Sequence, residues 1–289
     1  MGLHLSFEFF PPRTVQGFEN ASNARRQLNQ FKPDFFSCTY GAGGSTRLPT
    51  LKSIEAMLAE GLSTAPHLAC VGLPQEEVKS LADYYLSLGI KRLICLRGDT
   101  PSGVGFTDDF AHADQLVAYL KNQYGNQFKL YVAAYPEVHP QAYNAEEDLT
   151  HFVGKCRAGA DAAITQYFYN SDAYFHFVDE VAARGVDIPI IPGIMPIASF
   201  SKLARFSDRC SAEIPRWLRL RLQSYADDTA SIRALGLDFV TELCKRLLQG
   251  GAPGLHFYTL NRAALASTIV ERLGSVSYTH LTLPTTPYV

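Results

Sequence analysis

The chain has 289 residues, of which 47% are hydrophobic and 19% charged, with a net charge of −2. This composition predicts a globular protein with a large core and does not fit a disordered chain. A strongly basic face is lacking, as is an unbroken apolar stretch of the ~20 residues that cross a membrane, so we expect no nucleic-acid partner and no membrane.

Short apolar runs alternate with amphipathic segments along the chain. The runs predict eight strands, near residues 3–9, 34–39, 66–71, 91–96, 129–134, 161–165, 188–192 and 254–258. Apolar residues at helical spacing lie between them, for example in 21–31, 75–88, 145–158, 172–184 and 231–248. Alternation of this kind indicates a parallel sheet. Eight units in one chain of this length predict an α/β fold, a single-domain (β/α)8 TIM barrel.

In this fold the active site lies at the C-terminal ends of the strands. Polar and aromatic residues occupy the predicted ends, which are Glu8, Thr39 to Gly44, His67, Arg97 to Asp99, Tyr135 to Pro140, Thr165 to Phe168, Pro192 to Pro196 and Tyr258 to Arg262. We therefore expect these residues to meet on one rim.

Glu8 lies in an aromatic and proline-rich run, residues 7–12. Alternation from Leu3 to Phe9 predicts a strand that the following prolines end, which places Glu8 at its C-terminal mouth. Burial by the aromatic neighbours would raise its pKa toward neutrality, as a general acid requires. The alternative is a structural glutamate paired with an arginine.

Other rim residues leave alternatives open. The run Gly41 to Ser45 matches a dinucleotide fingerprint weakly, because Thr46 stands where the third glycine belongs, and a loop over a planar ligand fits better. Asp99 either pairs with Arg97 or faces a developing cation. His67 and His139 lack the spacing of metal ligands, so hydrogen bonds to an organic cofactor are favoured over a metal.

Six cysteines lack any paired or metal-like spacing, which predicts reduced, buried thiols. The N-terminal residues lack the pattern of a secretory signal, so we expect a cytoplasmic protein. The segment from Ser275 to Val289 is rich in threonine and proline and nearly uncharged. We predict that residues 1–274 form the barrel and that 275–289 are a disordered or non-native tail.

Several motifs in chain order resemble methylenetetrahydrofolate reductase of the bacterial single-domain type. They are Phe7 to Pro12, Thr39 to Ala42, Ala65 to Leu68, Leu96 to Asp99, Ala133 to Pro140, Ala163 to Phe168, Ile190 to Pro196 and His256 to Arg262. The resemblance runs from Ser6 to about Gly274. It implies a barrel with FAD in which hydride passes from NADH or NADPH through FAD to 5,10-methylenetetrahydrofolate in a ping-pong reaction. The product, 5-methyltetrahydrofolate, belongs to one-carbon and methionine metabolism.

The resemblance also implies roles for residues. Glu8 matches a general acid that promotes ring opening at folate N10 to give a 5-iminium cation, and Asp99 matches a carboxylate that stabilises this cation beside the flavin. Matches to FAD-binding positions are Thr39, Tyr40, Ala42, His67, Arg97, Gly98, Asp99, Ala111, Tyr135, His139, Ala142, Asp148 and Lys155. Matches to substrate-binding positions are Gln166, Phe206 and Arg262.

Three residues depart from relatives. His151 and Gly154 stand where some relatives have Asn and Arg, and Lys202 stands where Gln is common. Loss of one cationic contact would weaken FAD retention by about 1–3 kcal/mol.

Alternatives from other classes are a metal-dependent barrel hydrolase or lyase using Glu8, His67, Asp99 and His139, and a catalytically silent flavin-binding protein. The resemblance further implies a homo-oligomer, whose interface one sequence does not locate. The choice between NADH and NADPH stays open.

Overall fold

The structure, a computed structural model, describes residues 4–40, 47–98 and 109–277. Nine strands lie within these ranges. They are β1 (His4–Phe9), β2 (Phe35–Cys38), β3 (Thr64–Ala69), β4 (Arg92–Leu96), β5 (Lys129–Ala134), β6 (Ala162–Thr165), β7 (Ile190–Ile191), β8 (Gly193–Ile194) and β9 (Gly254–Tyr258).

Helices separate most of these strands. They are α1 (Val15–Asn29), α2 (Arg47–Ala59), α3 (Gln75–Ser87), α4 (Ala113–Tyr124), α5 (Ala145–Arg157), α6 (Ser171–Ala183), α7 (Phe200–Cys210), α8 (Arg216–Ser224), α9 (Thr229–Gln249) and α10 (Ala264–Ser277). Three helices, α7, α8 and α9, lie between β8 and β9, where a simple strand and helix repeat would have one.

The strands form one parallel sheet in the order β7-β6-β5-β4-β3-β2-β1-β9-β8. Its two outermost strands, β7 and β8, are neighbours in the chain and are separated only by Pro192. The sheet therefore returns on itself, and the prediction of a single (β/α)8 barrel is confirmed. The predicted strand 188–192 is wrong in detail, because proline lacks the N–H that would continue one strand.

The barrel is closed at this point by side chains. Thr165, the last residue of β6, accepts the Gly193 N–H on its Oγ1 at 2.8 Å. The Tyr258 hydroxyl donates to the Thr165 carbonyl oxygen at 2.8 Å. A Cβ at position 193 would overlap that same carbonyl oxygen, so only glycine fits there. We call these three residues, with Pro192, the seam.

Two apolar clusters lie on opposite faces of the strands. The inner cluster fills the barrel with Phe35, Ala65, Ile94, Tyr131, Ala162 and Ile164. The outer cluster lies between strands and helices and includes Phe7 and Phe9 of β1. Since side chains alternate along a strand, Ser6 and Glu8 point into the barrel instead. This alternation positions Glu8 for the site described below.

The helix predictions agree with the structure for α3, α5, α6 and α9 to within two residues at each end. The prediction for α1 began six residues late, because Thr14 caps the helix by accepting the Gly17 N–H on Oγ1 at 3.1 Å. The last helix, α10, continues to Ser277. Residues 278–289 lie outside the described ranges, so the tail stays a prediction. Among the described helices, none has the length and apolarity needed to cross a membrane.

Candidate functional site

A cavity with a volume of ≈ 1260 Å³ opens at the C-terminal ends of the strands. This volume exceeds the usual range of small-ligand pockets, ~300–1,000 Å³. Thirteen of the residues matched to catalytic, FAD-binding or substrate-binding positions line this cavity. They are Glu8, Thr39, Tyr40, His67, Arg97, Gly98, Tyr135, His139, Ala142, Asp148, Lys155, Gln166 and Phe206.

Two other predicted residues, Ala111 and Arg262, are described but do not line the cavity. Ala111 lies beside it, where its N–H donates to Gln115 Oε1 at 2.7 Å, and Arg262 is exposed. Ala42 and Asp99 lie outside the described residues, as does the rest of the run 41–45.

Glu8 faces two histidines at the floor of the cavity. Its Oε2 lies 3.3 Å from His67 Nε2 on β3 and 3.5 Å from His256 Nε2 on β9. Ser6 Oγ lies 2.7 Å from His256 Nδ1. The parallel register pairs Ser6 with His256 and Glu8 with Tyr258, which explains why these side chains meet. We call Ser6, Glu8, His67 and His256 the floor cluster.

The contacts between Glu8 and the two imidazoles are long. Both distances to Glu8 are long for hydrogen bonds, and within the described part of the chain neither Nε2 has a hydrogen bond of good geometry. His256 is fully buried and His67 nearly so. A proton on either ring therefore has Glu8 as its nearest acidic partner.

The pKa of Glu8 reflects these neighbours. Burial raises the pKa, but contacts with His256 and His67 outweigh burial and lower the pKa to about 2. The prediction that aromatic neighbours raise this pKa is therefore wrong, because Phe7 and Phe9 point into the outer cluster while imidazoles face the carboxylate. Glu8 is therefore ionised at neutral pH.

The backbone around Glu8 is fixed by the end of β9. Thr259 Oγ1 donates to the Glu8 carbonyl oxygen at 2.6 Å. Asn261 accepts the Phe10 N–H and donates to the Phe10 carbonyl oxygen, both at 2.9 Å. These contacts, together with Ser6 and His256, were not assigned roles from the sequence. Strand alternation placed Ser6 on the face of Glu8, but strand register decides which β9 residue meets them.

A second group of charges lines the side of the cavity formed by α5 and the loop after β5. Lys155 Nζ donates to the Ala133 carbonyl oxygen. Burial lowers the pKa of Lys155 to about 8, while the Asp148 carboxylate opposes the shift. Burial also lowers the pKa of His139, opposed by Asp148 and assisted by Lys155, Arg97 and His151. Lys155, Arg97 and His151 thus all act on His139, and this side of the cavity also contains the carboxylates of Asp114, Glu147 and Asp148.

Arg97 and Gly98 complete this side. Arg97 Nη1 donates to Gln141 Oε1 at 2.8 Å, while its Nε is buried with no partner among the described residues. Gly98 has φ +86, and a Cβ there would lie 2.9 Å from the Ala69 Cβ. Glycine is therefore required, and it leaves the backbone open to close approach by a ligand.

Two histidines at the start of α4 and on α5 also line the cavity. The rings of His112 and His151 stack with centroids 5.8 Å apart and an interplanar angle of 23°. His151 Nε2 lies 3.9 Å from Glu147 Oε1. His112 was not predicted as a site residue, because nothing in its local sequence marks it. Of the other two departures from relatives, neither Gly154 nor Lys202 lines the cavity.

Helix α7 forms the opposite wall. Phe206, which is 42% exposed, lines the cavity with Arg209 and Cys210. The Tyr167 hydroxyl and Ser207 Oγ lie 3.0 Å apart and join α7 to the end of β6. Gln166 is held by its own neighbour, since its Oε1 accepts the Tyr167 N–H at 3.0 Å.

Metal ligands and thiols are two further groups that could carry chemistry. Within residues 4–40, 47–98 and 109–277, no group of three or more His, Cys, Asp or Glu side chains could hold a metal ion. All six cysteines are free; five are buried, as predicted, and Cys210 is only partly buried.

Comparisons with known proteins agree on one family. The family model for methylenetetrahydrofolate reductase matches residues 2–274. Relatives from Salmonella typhimurium and Escherichia coli, each named 5,10-methylenetetrahydrofolate reductase, are 38% identical over 94% of this chain and 91% of their own length. A relative from Arabidopsis thaliana, methylenetetrahydrofolate reductase (NADH) 1, is 37% identical over 94% of this chain and 48% of its own length.

A solved structure has the same fold. It is an uncharacterized protein from Clostridium thermocellum that binds two copies of 5-methyl-5,6,7,8-tetrahydrofolic acid, with a TM-score of 0.64 and 18% identity. The match covers 96% of this chain and 95% of the other.

Proposed function

The chain belongs to the methylenetetrahydrofolate reductase family, and on that premise we propose that it reduces 5,10-methylenetetrahydrofolate to 5-methyltetrahydrofolate with NADH or NADPH and bound FAD. In this reaction the methylene carbon gains a hydride, N10 gains a proton, and the bond between that carbon and N10 breaks. The protein must therefore supply a proton where the folate ring opens.

The residues of the cavity fit FAD. A buried ammonium whose hydrogen-bond partner is a carbonyl, a buried Arg97 Nε without a partner and a glycine backbone open to approach suit a diphosphate and a planar ring. When bound, FAD would carry hydride from the nicotinamide to the folate. The residues proposed to hold it are Thr39, Tyr40, His67, Arg97, Gly98, Tyr135, His139, Ala142, Asp148 and Lys155. Ala42, Ala111 and Asp99 stay predictions from the resemblance.

The observation that carries the proposal is the floor cluster. Two imidazoles converge on one oxygen of Glu8 in a buried site, and imidazole and carboxylate groups both exchange protons in catalysis. We assign the transfer of the proton to N10 to Glu8 Oε2, with His67 and His256 as its partners. A carboxyl group of low pKa gives up a proton readily once it receives one. Glu8 therefore relays the proton that ring opening consumes.

Substrate contacts are proposed for Gln166 and Phe206, which both line the cavity. Phe206 offers an aromatic face for stacking on a planar ring. Arg262 is exposed, so its contact with a folate carboxylate would be made at the solvent-facing rim. A homo-oligomer in the cytoplasm, acting in methionine metabolism, stays part of the proposal without a structural observation of its own.

The test is anaerobic half-reaction kinetics on the purified protein. We expect a yellow protein whose flavin absorbance is bleached by a reduced nicotinamide and restored by 5,10-methylenetetrahydrofolate. NADH is the first nicotinamide to try, because the Arabidopsis relative is named for it. A colourless protein with stoichiometric zinc would support the metal-dependent hydrolase instead. Bleaching without restoration by the folate would support a flavoprotein of another activity.

A further inference from the structure

Glu137 joins two distant parts of the cavity wall. It follows β5, and its Oε2 accepts the backbone N–H of Glu213, beyond the end of α7, at 2.7 Å. Its other oxygen, Oε1, is buried and has no hydrogen-bond partner within the part of the chain that the structure describes. A buried carboxylate with one unsatisfied oxygen is costly, which indicates that its position matters.

The segment that Glu137 contacts continues directly from α7. Helix α7 ends at Cys210, Ser211 adopts a left-handed conformation with φ 55, and Ala212 and Ile214 are buried. A cavity of ≈ 10 Å³ separates Glu137 from α7 and is lined in part by Gln166, Tyr167 and Cys210. That volume is close to the smallest that holds one water molecule, ~10–15 Å³. Phe206 and Arg209 belong to α7, so movement of its C-terminal end would also move them.

We propose that Glu137 is a positioning residue that fixes the C-terminal end of α7 and thereby sets the place of Phe206 in the cavity wall. The role of Phe206 toward folate rests on the proposed function. The attachment of α7 does not, and it can be measured without substrate.

The protonation state of Glu137 controls the strength of this attachment. Glu213 repels the Glu137 carboxylate, and Tyr135, Tyr167 and Cys210 are the other titratable groups that line the small cavity beside it. Burial is the main cause that raises the pKa of Glu137 to about 7. An acid whose pKa is raised in the closed arrangement favours opening once it ionises, because opening returns the charge to water. The end of α7 should therefore loosen as the pH rises toward 7.

Cys210 is a built-in reporter of this motion, since the other five cysteines are buried. Its reaction with 4,4′-dithiodipyridine can be compared in the wild type, Glu137→Gln and Glu137→Ala. Gln resembles the protonated acid and keeps an acceptor for the Glu213 N–H, so at each pH it sets the slow reference rate, which itself rises with pH as the thiol ionises. Ala lacks the acceptor and should react about fivefold faster than Gln. The wild type should match Gln at about pH 5 and approach Ala at about pH 8.

Controls separate a local role from a general one. Glu213→Gln removes the repelling carboxylate and keeps the backbone N–H, so its rise in labelling with pH should be smaller than that of the wild type. Equal rates for Ala and Gln, or a ratio of wild type to Gln that does not change with pH, would overturn the proposal. So would labelling of additional cysteines in Glu137→Ala, because that indicates general loosening.

A second measurement connects the attachment to catalysis. Glu137→Ala should raise the KM for the folate and leave reduction by the nicotinamide unchanged, with rescue in Glu137→Gln. The expected labelling without any folate activity in the wild type would refute the proposed function and leave the attachment intact. The expected labelling with an unchanged KM would refute the placement of Phe206 by Glu137.

Discussion

Two partly buried glutamates, one at the floor of the cavity and one behind its wall, have pKa values shifted in opposite directions. Burial raises the pKa of both, yet that of Glu8 is lowered to about 2 and that of Glu137 is raised to about 7. Two imidazoles face Glu8, whereas Glu137 meets one backbone N–H and the Glu213 carboxylate. Burial acts in the same direction on both acids, so the difference between their pKa values comes from their partners.

Removing the floor carboxylate gives the largest expected effect. Glu8→Gln should slow reduction of 5,10-methylenetetrahydrofolate by about 10²–10⁴-fold, because the step that opens the folate ring loses its proton relay. Reduction by the nicotinamide should be unchanged, since it requires no proton at N10. Stopped-flow absorbance of the flavin measures both half-reactions separately.

Glu137→Gln is the matched control, since it removes the other partly buried glutamate whose pKa is strongly shifted. It should leave the folate half-reaction within about twofold of the wild type at saturating folate. An equal loss of both half-reactions in Glu8→Gln would show that Glu8 serves structure or flavin binding and not proton transfer.

Removing one imidazole from the floor cluster should bring the pKa of Glu8 closer to that of Glu137. In His256→Asn the pKa of Glu8 should rise from about 2, because the first of the two histidine contacts that lower it is lost while burial remains. We expect about a tenfold slower folate half-reaction. Infrared titration of the protonated carboxyl band, taken as the difference from Glu8→Gln, measures the shift. Ser6→Ala removes only the partner of His256 Nδ1 and should shift the pKa of Glu8 less. An unchanged carboxyl band in His256→Asn would contradict the lowering of this pKa by His256.

Lys155 is a cation in the cavity lining that can be compared with the two glutamates. Burial lowers its pKa to about 8, so an additional fixed charge nearby should strengthen diphosphate binding. A side chain at position 154 meets no atom within 4 Å at its Cβ, so Gly154→Arg is accommodated. We expect FAD to be retained about fivefold more tightly on dilution, measured by the rise of free flavin fluorescence. Gly154→Gln, similar in length but uncharged, should show less gain; retention equal to that of Arg would exclude a role for charge.

The smallest effect concerns stability. The folded pKa of Glu137 is raised above its ordinary value of 4.5, so its contribution to stability is complete below that value and is lost as the pH rises to about 7. Glu137→Gln should therefore match the wild type at about pH 4 and exceed it by about 1 kcal/mol at about pH 8, after allowance for solvent screening. Urea unfolding at both pH values measures this difference.

Glu8 should give the opposite sign. Its lowered pKa contributes stability above 4.5 that is lost as the pH falls toward about 2. Glu8→Gln should therefore be less stable than the wild type at neutral pH, with the difference shrinking in acid. A common sign for both variants would mean that burial alone governs the two acids.

The barrel could be predicted because local alternation and spacing determine it. Hydrophobic period and strand count led to the correct class of fold, and thirteen predicted residues line one cavity, because parallel strands bring their C-terminal ends together. The break at Pro192 was not predicted, since a run of apolar residues around a proline gives no sign of which neighbour each half will pair with.

The errors at the site have one cause. Sequence neighbours of Glu8 are aromatic, but its spatial neighbours come from β3 and β9, which are 59 and 248 residues away in the pairs with His67 and His256. The charge state of a side chain depends on such partners, and strand register is not encoded locally. Glu137 was overlooked for the same reason, because its partner Glu213 lies beyond α7.

The seam gives the ring of strands a place of distinct mechanical character. Most adjacent strands of the barrel are joined by repeated main-chain hydrogen bonds. At the seam, one main-chain bond from the His256 N–H to the Pro192 carbonyl oxygen is supplemented by Thr165, which accepts a glycine N–H and a tyrosine hydroxyl. Tyr258 also pairs in register with Glu8. A change in barrel circumference would therefore begin at Thr165 and reach the floor cluster through Tyr258. The contacts that close the ring of strands thus also set the distances between the side chains of the floor cluster.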